Sequence, residues 1–492
     1  MTTHDDDVLI DESGTAPPRR DALVSNTGAM LLGRVFIAAM GWAGTLLITN
    51  HLSTSEFGQF TFVFSLLGMM SIVTEMGVGR VAINGMLDDR TDRGRFAGSY
   101  VVMRCAMGLI GYLLAMVFVL LRGYPAPIVR TTLVAGLVVL LATPNHAFHL
   151  AFQTSMRMPR VAIAEVIGQM AQLSLTVALV IRGGSLAWFA VPAVLCETVI
   201  LSILYPMARR LVRYHFVVDV RQWWALLREA VPISIGAAMA TIYYRVDTLM
   251  VRDISGDEAV AVYGVAYKFV DLAHFMVIAL SVPILTLLVR AWPDDHDGFR
   301  QGVHKGLSLL SVAAVVVLTE TLLFAGDVIP LLYRKKAYAD AADATRVLIL
   351  AECIGWFGSL AFSILVASGR HRRYPVVTGL GLVLNVTLNA FVIPHWSYNG
   401  AAVDTLITEV FVTVPLWWFV LRIPTVRGLR AGRLLRLLPS AGIGLAVGFG
   451  LRQVAPWPVA AIATLAVVGG AVHLSRATGR RGLRDLLQGA QP

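Results

Sequence analysis

Ionisable side chains occur inside long apolar stretches of this sequence, where each one is costly to keep and is therefore a candidate for function. Arg34 stands out because its own apolar stretch contains no carboxylate, which makes it the best candidate for a cation that binds a ligand. Acidic residues in such stretches are candidates for coupling or gating. They are Glu165, Asp247, Asp271 and Glu352.

The polar residues of these stretches fall at helical spacing, so that several of them share one face of a predicted helix. One face carries Glu165, Gln169, Gln172 and Thr176, and another carries Tyr263, Tyr267, Asp271 and His274. Because polar faces occur in both halves of the chain, we predict a water-filled cavity between the halves. The alternative is that these faces form the interhelical hydrogen bonds and ion pairs that hold a helical bundle together.

Two pairs of opposite charges lie close together along the chain. Lys268 and Asp271 are one helical turn apart, which predicts a structural ion pair. Arg245 and Asp247 are only two residues apart, so they point to different faces of a helix and do not simply neutralise one another.

Motifs for other chemistry are weak. His146 and His149 could share a helix face, but no third ligand lies near them in sequence, so we treat them as polar lining and predict no metal site. We find no phosphate-cradling loop and no nucleophile elbow. A membrane-embedded enzyme would need a sizeable extramembrane site, and the longest predicted external loop, roughly 326–341, is too short for a catalytic domain. We therefore predict neither an enzyme nor a bound cofactor.

The composition is that of a membrane protein. Hydrophobic residues make up 57% of the 492 residues and charged residues only 15%, whereas soluble globular proteins carry about 25% charged residues. Apolar runs of roughly 20 residues, long enough to cross about 30 Å of hydrocarbon, recur along nearly the whole chain and must be helical in lipid. The net charge of +10 comes from basic residues in short loops, which indicates topology rather than nucleic-acid binding.

We predict an all-α fold of about fourteen transmembrane helices, including one continuous helix over 57–83. With the N-terminus in the cytoplasm, most of the 41 Lys and Arg residues fall in cytoplasmic segments, so both termini are expected there, in a bacterial plasma membrane. The first 20 residues are hydrophilic and acidic, so we expect no cleavable signal peptide. The predicted regions are a disordered tail (1–22), a six-helix N-lobe (23–208), a cytoplasmic amphipathic linker (209–229), a six-helix C-lobe (230–421), two further helices (422–475) and a basic cytoplasmic tail (476–492).

An internal repeat supports the two predicted lobes. LSTSE (52–56) follows the first predicted helix, and ISGDE (254–258) follows the seventh. SMRMP (155–159) follows the fourth predicted helix, and SGRHRRYP (368–375) follows the tenth. Six helices have therefore been duplicated in the same orientation, which predicts parallel halves around a central cavity.

Several segments resemble those of bacterial polysaccharide flippases, the Wzx-type exporters. These exporters belong to the multidrug/oligosaccharidyl-lipid/polysaccharide exporter superfamily, which also contains multidrug and toxin extrusion (MATE) transporters and lipid II flippases. The segments that resemble the seventh and eighth helices of the exporters are YYRVDTLMV (243–251) and ISGDEAVAVYGVAYKF (254–269). Further resemblance lies in LSTSEFGQF (52–60), EMGVGR (75–80), IPLLYRKKAYADAADATRVL (329–348), LVASGRHRRYP (365–375) and NVTLNAFVIPHWSYNGAAV (385–403).

The resemblance, which covers roughly residues 23–421, implies two lobes that alternate between inward-open and outward-open states. The implied cargo is a polyprenyl-diphosphate-linked oligosaccharide, moved to the external leaflet for cell-surface polysaccharide synthesis. A diphosphate needs cations in a water-filled cavity, whereas the lipid tail can remain in the bilayer. Lipid II flippases have cavity arginines on the first and second helices and a basic residue on the eighth. Arg34, Arg80 and Lys268 occupy comparable places, and Arg245 is an additional candidate for substrate binding. Arg80 is near the cytoplasmic end of its predicted helix, so a topological role is the alternative for this residue.

The same resemblance sets the expected partners and the alternatives. Membrane lipids and a polysaccharide polymerase complex are expected partners, and an H⁺ or Na⁺ gradient or the membrane potential is the expected driving force. The common exporter has twelve helices, but lipid II flippases also have fourteen, so a lipid II flippase is one alternative. An ion-coupled multidrug antiporter is another, in which Glu165, Asp247 and Glu352 would be candidates for the cation site.

Overall fold

A computed structural model of the chain describes residues 20–75, 77–88, 91–427 and 437–474. Within these ranges the chain is almost entirely helical, as predicted. The predicted cytoplasmic tails, 1–22 and 476–492, lie outside the described residues except for the first turn of a helix that begins at Arg20.

The described chain forms fourteen α-helices and four short 3₁₀ turns. The 3₁₀ turns are Leu186–Ala190, Lys336–Asp340, His371–Arg373 and Pro424–Val426. The α-helices are α1 (Arg20–His51), α2 (Thr54–Glu75), α3 (Val78–Leu87), α4 (Arg93–Leu121), α5 (Ala126–Thr154), α6 (Pro159–Arg182), α7 (Val191–Arg209), α8 (Val220–Ser255), α9 (Asp257–Ala291), α10 (His296–Leu332), α11 (Ala341–Ala367), α12 (Tyr374–Leu421), α13 (Leu437–Val454) and α14 (Trp457–Leu474).

The number of membrane-spanning helices is lower than predicted when length and apolar composition are the criteria. Nine helices in the described part of the chain meet these criteria, and ten do if the two arms of the bent α8 form one span. The count of fourteen is therefore not confirmed. One reason is that α12 has 48 residues and covers two predicted spans, which meet at Ser397, whose φ is 50°.

The prediction of one continuous helix over 57–83 is wrong, because the structure divides it into α2 and α3 at Gly77. Gly77 has a φ of 64°, a left-handed conformation that is open to glycine because it has no Cβ. The break leaves carbonyls at the end of α2 without helical partners. The buried guanidinium of Arg104 in α4 donates a hydrogen bond to one of them, the carbonyl of Thr74.

The predicted linker, 209–229, contains the end of α7, a non-helical segment and the first turns of α8. The two arms of α8, Val220–Pro232 and Ser234–Ser255, meet at 67°. Pro232 lies at the bend, where its ring interrupts the helical hydrogen bonds. The first arm packs on the first half of the chain, where Trp223 Nε1 donates a hydrogen bond of 3.0 Å to Ser99 Oγ in α4. Its place at a membrane surface stays a prediction.

The packing of the helices repeats in the two halves of the chain. In the first half, which we call the N-lobe (α1–α7), α1 packs on α6, α2 on α4, α4 on α5 and α5 on α7. In the second half, the C-lobe (α8–α12), α8 packs on α12, α9 on α10, α10 on α11 and α11 on α12. Each pair in one lobe has its counterpart in the other, as a duplication of six helices requires. Helices α13 and α14 pack on each other and on α10.

Side-chain hydrogen bonds join the two lobes at the end of the bundle where α1 turns into α2 and α8 into α9, here called the Asp257 end. Gln59 Nε2 of the N-lobe donates to Asp257 Oδ2 of the C-lobe at 2.8 Å. Arg122 Nη2 and the Tyr124 hydroxyl, both from the loop before α5, donate to Asp253 at 2.5 and 2.7 Å. Burial, together with the hydrogen bond to Asp253, raises the pKa of Tyr124 to about 12, so its hydroxyl remains a donor.

A second group of interlobe bonds at the Asp257 end joins α1 to the last residue of α10 and to the loop that follows it. Asn50 in α1 donates from Nδ2 to the carbonyl of Leu332 at 2.9 Å and accepts at Oδ1 from the backbone N–H of Arg334 at 2.9 Å. Lys335 Nζ donates to the carbonyl of Thr49 at 2.9 Å. These bonds close the space between the lobes at this end.

Candidate functional site

A cavity of about 290 Å³ lies between the two lobes, walled by α1, α2, α6 and the start of α7 on one side and by α8 and α9 on the other. Its N-lobe wall carries apolar and uncharged polar side chains, whereas its C-lobe wall carries charged ones. The polar N-lobe side chains are Thr45, Thr61, Ser65, Gln169, Gln172 and Thr176, and the charged C-lobe side chains are Arg245, Lys268 and Asp271. The polar helix faces seen in the sequence therefore line this cavity in part.

The charged wall holds two cations around one carboxylate. Lys268 Nζ lies 3.6 Å from Asp271 Oδ2, as their spacing predicts, and Arg245 Nη2 lies 4.0 Å from Asp271 Oδ1. All three side chains are about one-third exposed, at 30%, 32% and 36% for Lys268, Arg245 and Asp271. One carboxylate cannot neutralise two cations, so this wall keeps an excess positive charge that faces water. Such a wall can bind an anion by charge-assisted hydrogen bonds.

The neighbouring Tyr244 fixes both partners of this ion pair. Its hydroxyl donates to Asp271 Oδ1 at 3.3 Å, and the guanidinium of Arg245 lies 5.1 Å from the centre of its ring. The cation is attracted to the ring face, which holds the guanidinium against the wall. The pairing of Arg245 with Asp271 was not predicted, because the two residues belong to different helices.

The other predicted cations lie elsewhere. Arg34 is exposed on α1, about three turns before Thr45, and does not line this cavity. Arg80 belongs to α3, but its side chain lies outside the described residues. The substrate-binding roles of Arg34 and Arg80 stay predictions.

An apolar groove of about 570 Å³ lies beside the cavity, between α1 and α9. The residues from α1 are Val35, Ala38, Ala39 and Trp42, and those from α9 are Leu272, Phe275, Met276 and Leu280. Trp42 is two residues from Gly44, and Leu272 follows Asp271, and both Gly44 and Asp271 line the cavity. A charged cavity and an apolar groove therefore adjoin each other at the junction of the lobes.

Asp247 lies in a fully buried polar cluster inside the C-lobe. Its carboxylate accepts hydrogen bonds from the hydroxyls of Tyr263, Tyr267 and Thr405, the last two at 2.7 and 3.4 Å, and from the backbone N–H of Thr248 at 2.7 Å. The predicted polar face of α9, which carries both tyrosines, is thus used for this carboxylate. Its remaining polar residues point to the cavity and to α11.

A second buried carboxylate, that of Asp404 in α12, stands beside Asp247. Asn385 Nδ2 donates to Asp404 Oδ2 at 2.8 Å. Among the described residues, several buried polar atoms around it make no hydrogen bond of good geometry, although Asn389 and Thr408 both approach the Asp404 carboxyl. Such atoms are costly in an apolar interior. They are Asn385 Oδ1, Asp404 Oδ1, Thr408 Oγ1 and both side-chain polar atoms of Asn389. Asp404 is not among the residues predicted from the sequence, although an acidic residue within an apolar span is a signal that could have found it.

Glu352 in α11, another of the four acidic candidates, forms a separate cluster with His274. His274 Nδ1 lies 2.8 Å from Glu352 Oε1, and Trp356 Nε1 donates to the same oxygen at 3.1 Å. Glu165 in α6 lies one turn before Gln169, which lines the cavity, and it is partly buried. The coupling or gating roles of these acids stay predictions.

The N-lobe holds its own charged cluster at the break between α2 and α3. Glu75 Oε1 lies 3.1 Å from Arg104 Nη2 and 3.0 Å from His146 Nδ1. The rings of His146 and His149 lie edge to face with centres 5.6 Å apart, so they share a face as predicted. His146, however, pairs with a carboxylate of another helix. This cluster was not found from the sequence, because its members come from three different helices.

The family model of polysaccharide biosynthesis proteins matches residues 23–292, more than half of the chain. The chain belongs to this family. A second family model, MatE, matches residues 232–391. Polysaccharide biosynthesis proteins of this kind and MATE transporters share the multidrug/oligosaccharidyl-lipid/polysaccharide exporter superfamily, as the sequence motifs predicted.

Solved structures share the fold. The lipid II flippase MurJ in an inward closed conformation superposes with a TM-score of 0.70 at 13% identity and covers 91% of this chain and 98% of its own. An inward-facing multidrug resistance MATE family transporter superposes with a TM-score of 0.67 at 15% identity and covers 80% of this chain and 96% of its own. The family and the fold of this chain are those of transporters.

Curated relatives are distant. A protein of Shigella flexneri that is named as an O-antigen transporter is 21% identical over 180 residues, which cover 37% of this chain and 43% of that protein. The chain spans less than half the length of the curated relatives it matches.

Proposed function

We propose that this protein flips a polyprenyl-diphosphate-linked oligosaccharide from the cytoplasmic to the external leaflet by alternating access. The observation that carries the proposal is that a cationic cavity and an apolar groove are lined by neighbouring turns of α1 and α9 at the junction of the lobes. A lipid-linked diphosphate has both an anionic head and a long apolar tail. Membership in the polysaccharide biosynthesis family and similarity to a protein named as an O-antigen transporter support a glycan as the rest of the cargo.

The diphosphate would bind the charged wall of the cavity. Arg245 presents a planar guanidinium suited to two oxygens of a phosphate, and Lys268 presents a compact charge to the same site. Asp271 lies between the two cations and holds them when no cargo is bound. The glycan hydroxyls would then face the amides and hydroxyls of the opposite wall, such as Gln169 and Gln172.

The lipid tail would leave the cavity through the groove between α1 and α9. The groove exposes almost exclusively apolar side chains, which matches a hydrocarbon chain and not a sugar or a phosphate. Few contacts join α1 to α9 along this seam, whereas α1 packs closely on α6. The tail could therefore stay in the bilayer while the head crosses it.

The conformation with a closed Asp257 end would be the one that accepts cargo from the cytoplasm. The positive-inside bias of the sequence predicts that the Asp257 end lies outside. The lobes are hydrogen-bonded there through Asn50, Gln59 and Asp253, so access from outside is blocked. The similar structures of a lipid II flippase and a MATE transporter are described as inward closed and inward-facing.

The buried pair Asp247 and Asp404 is our candidate for the binding site of the coupling ion. We propose that this ion is an alkali cation. Two carboxylates with amide and hydroxyl oxygens from Asn385 and Thr408 form an oxygen-rich site of the kind that hard cations prefer. A cation would satisfy the unpaired oxygens and compensate two buried negative charges. A bound cation would also hold α8 against α12, since the two carboxylates come from these helices.

The test is the fate of lipid-linked glycans in cells that depend on variants of this protein. Arg245→Ala and Lys268→Ala should cause polyprenyl-diphosphate-linked glycans to accumulate in the cytoplasmic leaflet and surface polysaccharide to disappear, with normal amounts of protein in the membrane. Arg300→Ala is the matched control, because Arg300 is an exposed arginine of α10 that pairs with Asp297 of its own helix. Normal glycan export in both cavity variants would contradict the proposal.

A further inference from the structure

A cluster of two carboxylates and an imidazole lies in the C-lobe, separate from the pair formed by Asp247 and Asp404. Glu352 of α11 is nine-tenths buried and contacts His274 of α9 at 2.8 Å. Glu409 of α12 packs directly on Gly355, one turn after Glu352, where an added Cβ would lie 2.8 Å from Glu409 Oε2. Because Glu409 lies against Gly355, one turn from Glu352 on α11, the two carboxylates repel one another when both are charged.

The partners of these carboxylates are donors that carry no permanent charge. Trp356 Nε1 donates to Glu352 at 3.1 Å, and the hydroxyl of Tyr243 donates to Glu409 at 3.1 Å. Within the described residues, no Lys or Arg nitrogen lies within 4.0 Å of either carboxylate. Glu352 is nine-tenths buried and Glu409 is partly buried, so the two negative charges are poorly compensated unless a proton is bound.

The other charged and titratable groups near the cluster belong to the cavity wall or to the start of α12. They are Tyr244 and Arg245 on α8, Lys268 and Asp271 on α9, Cys353 on α11 and Tyr374 on α12. Only the two cations of the wall are permanently charged, and both already face Asp271. They leave His274 as the nearest group able to share a proton with Glu352.

A short path joins this cluster to the cavity. The ring of Tyr244 lies 5.7 Å from that of His274, and its hydroxyl donates to Asp271, which pairs with Arg245 and Lys268. His274 itself is 45% exposed, so water can reach the imidazole although Glu352 is buried. One aromatic side chain therefore separates the anion-binding wall from the cluster.

We propose that His274, Glu352 and Glu409 form a proton-binding site whose occupancy is linked to the binding of an anion in the cavity. The ligand of the site is a proton shared between the imidazole and the two carboxylates. An anion that binds Arg245 and Lys268 adds negative charge near the cluster and so favours the protonated state. By reciprocity, a bound proton strengthens anion binding by the same factor. The linkage rests on the anion-binding cavity of the proposed function, whereas the proton site itself does not.

The experiment uses the full-length protein in detergent with sulfate as the probe, because sulfate keeps two negative charges between pH 5 and 8 and takes up no proton itself. A pH-sensitive dye in weakly buffered solution should report net proton uptake when sulfate is added. Sulfate affinity should also rise about fivefold or more from pH 8 to pH 6, the lower range of typical coupling between sites.

The variants separate the proton site from other buried acids. Glu352→Gln with Glu409→Gln should abolish both the proton uptake and the pH dependence while sulfate still binds. Glu197→Gln is the matched control, since Glu197 is a partly buried acid of the N-lobe held by Asn145 at 2.7 Å. This variant should behave as wild type. Undiminished proton uptake in the double variant would overturn the linkage and the site together.

A second measurement keeps the proton site testable without the cavity. Infrared difference spectra of the ligand-free protein between pH 8 and pH 5 should show the band of a newly protonated carboxyl group that is absent in the double variant. If wild type binds no sulfate but shows this band, the anion-binding cavity of the proposed function fails and the proton site stands. If the band persists in the double variant, the proton site is wrong.

Discussion

Gln59 of the N-lobe donates a hydrogen bond of 2.8 Å to Asp257 of the C-lobe. The same carboxylate accepts from Arg252 Nε at 3.0 Å and lies 3.5 Å from the hydroxyl of Ser55. Ser55 and Asp257 are 202 residues apart and occupy equivalent positions in the internal repeat. Corresponding turns of the two repeats therefore meet and close the bundle at this end.

Loss of this carboxylate should favour the conformation that is open at the Asp257 end. Asp257→Ala removes the acceptor from the interlobe bond of Gln59, and hydrogen bonds to charged groups contribute roughly 1.5–3 kcal/mol each. A Thr45→Cys reporter in the cavity, with Cys105, Cys196 and Cys353 replaced, should then react faster with a membrane-impermeant maleimide added outside.

Asp297→Ala provides the control for this labelling experiment. Asp297 is an acidic residue of α10 that is 82% exposed and pairs with Arg300 of its own helix. This control should leave the labelling rate of the reporter unchanged. Equal labelling rates in Asp257→Ala and the parent protein would show that Asp257 does not hold the lobes together.

Gly58 should not tolerate a side chain, because an added Cβ would lie 1.8 Å from the carbonyl oxygen of Asp257. Backbone cannot move aside as a flexible side chain can, so Gly58→Ala should cost about 1–3 kcal/mol or force the lobes apart. Thermal unfolding in detergent measures the first effect and the Thr45→Cys labelling rate the second. Gly442→Ala should be neutral or slightly stabilising, because a Cβ added at this helical glycine would meet no described atom outside its own helix within 4 Å. A neutral Gly58→Ala would mean that α2 and α9 are not in contact here.

The buried site at Asp247 and Asp404 should make the stability of the protein depend on an alkali cation. A cation that binds only the folded protein stabilises it by about 2.7 kcal/mol at a concentration 100 times its Kd. The midpoint of thermal unfolding should therefore rise when choline chloride is replaced by sodium chloride at equal ionic strength. Asp404→Asn should remove this rise, whereas Asp297→Asn should keep it. The absence of any difference between the two salts in wild type would argue against a cation at this site.

One ion pair should contribute to the attachment of helices α13 and α14 to α10. Arg452 Nη2 lies 2.8 Å from Asp327 Oδ2, and Arg452 Nη1 donates to the carbonyl of Leu323 at 2.9 Å. Both side chains are partly exposed, so Arg452→Ala should weaken the contact by roughly 1 kcal/mol or less through the ion pair. Hydrogen exchange over residues 437–474 should accelerate in Arg452→Ala.

The charge exchange Arg452→Asp with Asp327→Arg tests the same contact in the opposite direction. The exchanged pair should recover part of the protection against hydrogen exchange, because its two charges still attract. Arg452→Asp alone should lose more protection than Arg452→Ala, since two carboxylates then face each other. Equal exchange in all variants would show that the apolar surface alone attaches these helices.

The membrane class and the duplicated design of this protein could be predicted from its sequence. Apolar runs must be helical in lipid, and the repeated motifs around Ser55 and Asp257 require no knowledge of packing. The pairing of Lys268 with Asp271 was predictable for the same reason, because residues three apart on one helix lie on one face. The length of individual helices was less predictable, since a glycine that breaks a helix, such as Gly77, looks the same in sequence as one that does not.

The sequence by itself determined which residues are polar within apolar helices and which of them share a face. Only the tertiary structure decided their partners across helices: Asp271 beside Arg245, Asp404 beside Asp247, and Glu409 beside Glu352. The physical reason is that helical periodicity is a local property fixed by backbone geometry. The rotation of one helix against another depends instead on the packing of all of them at once.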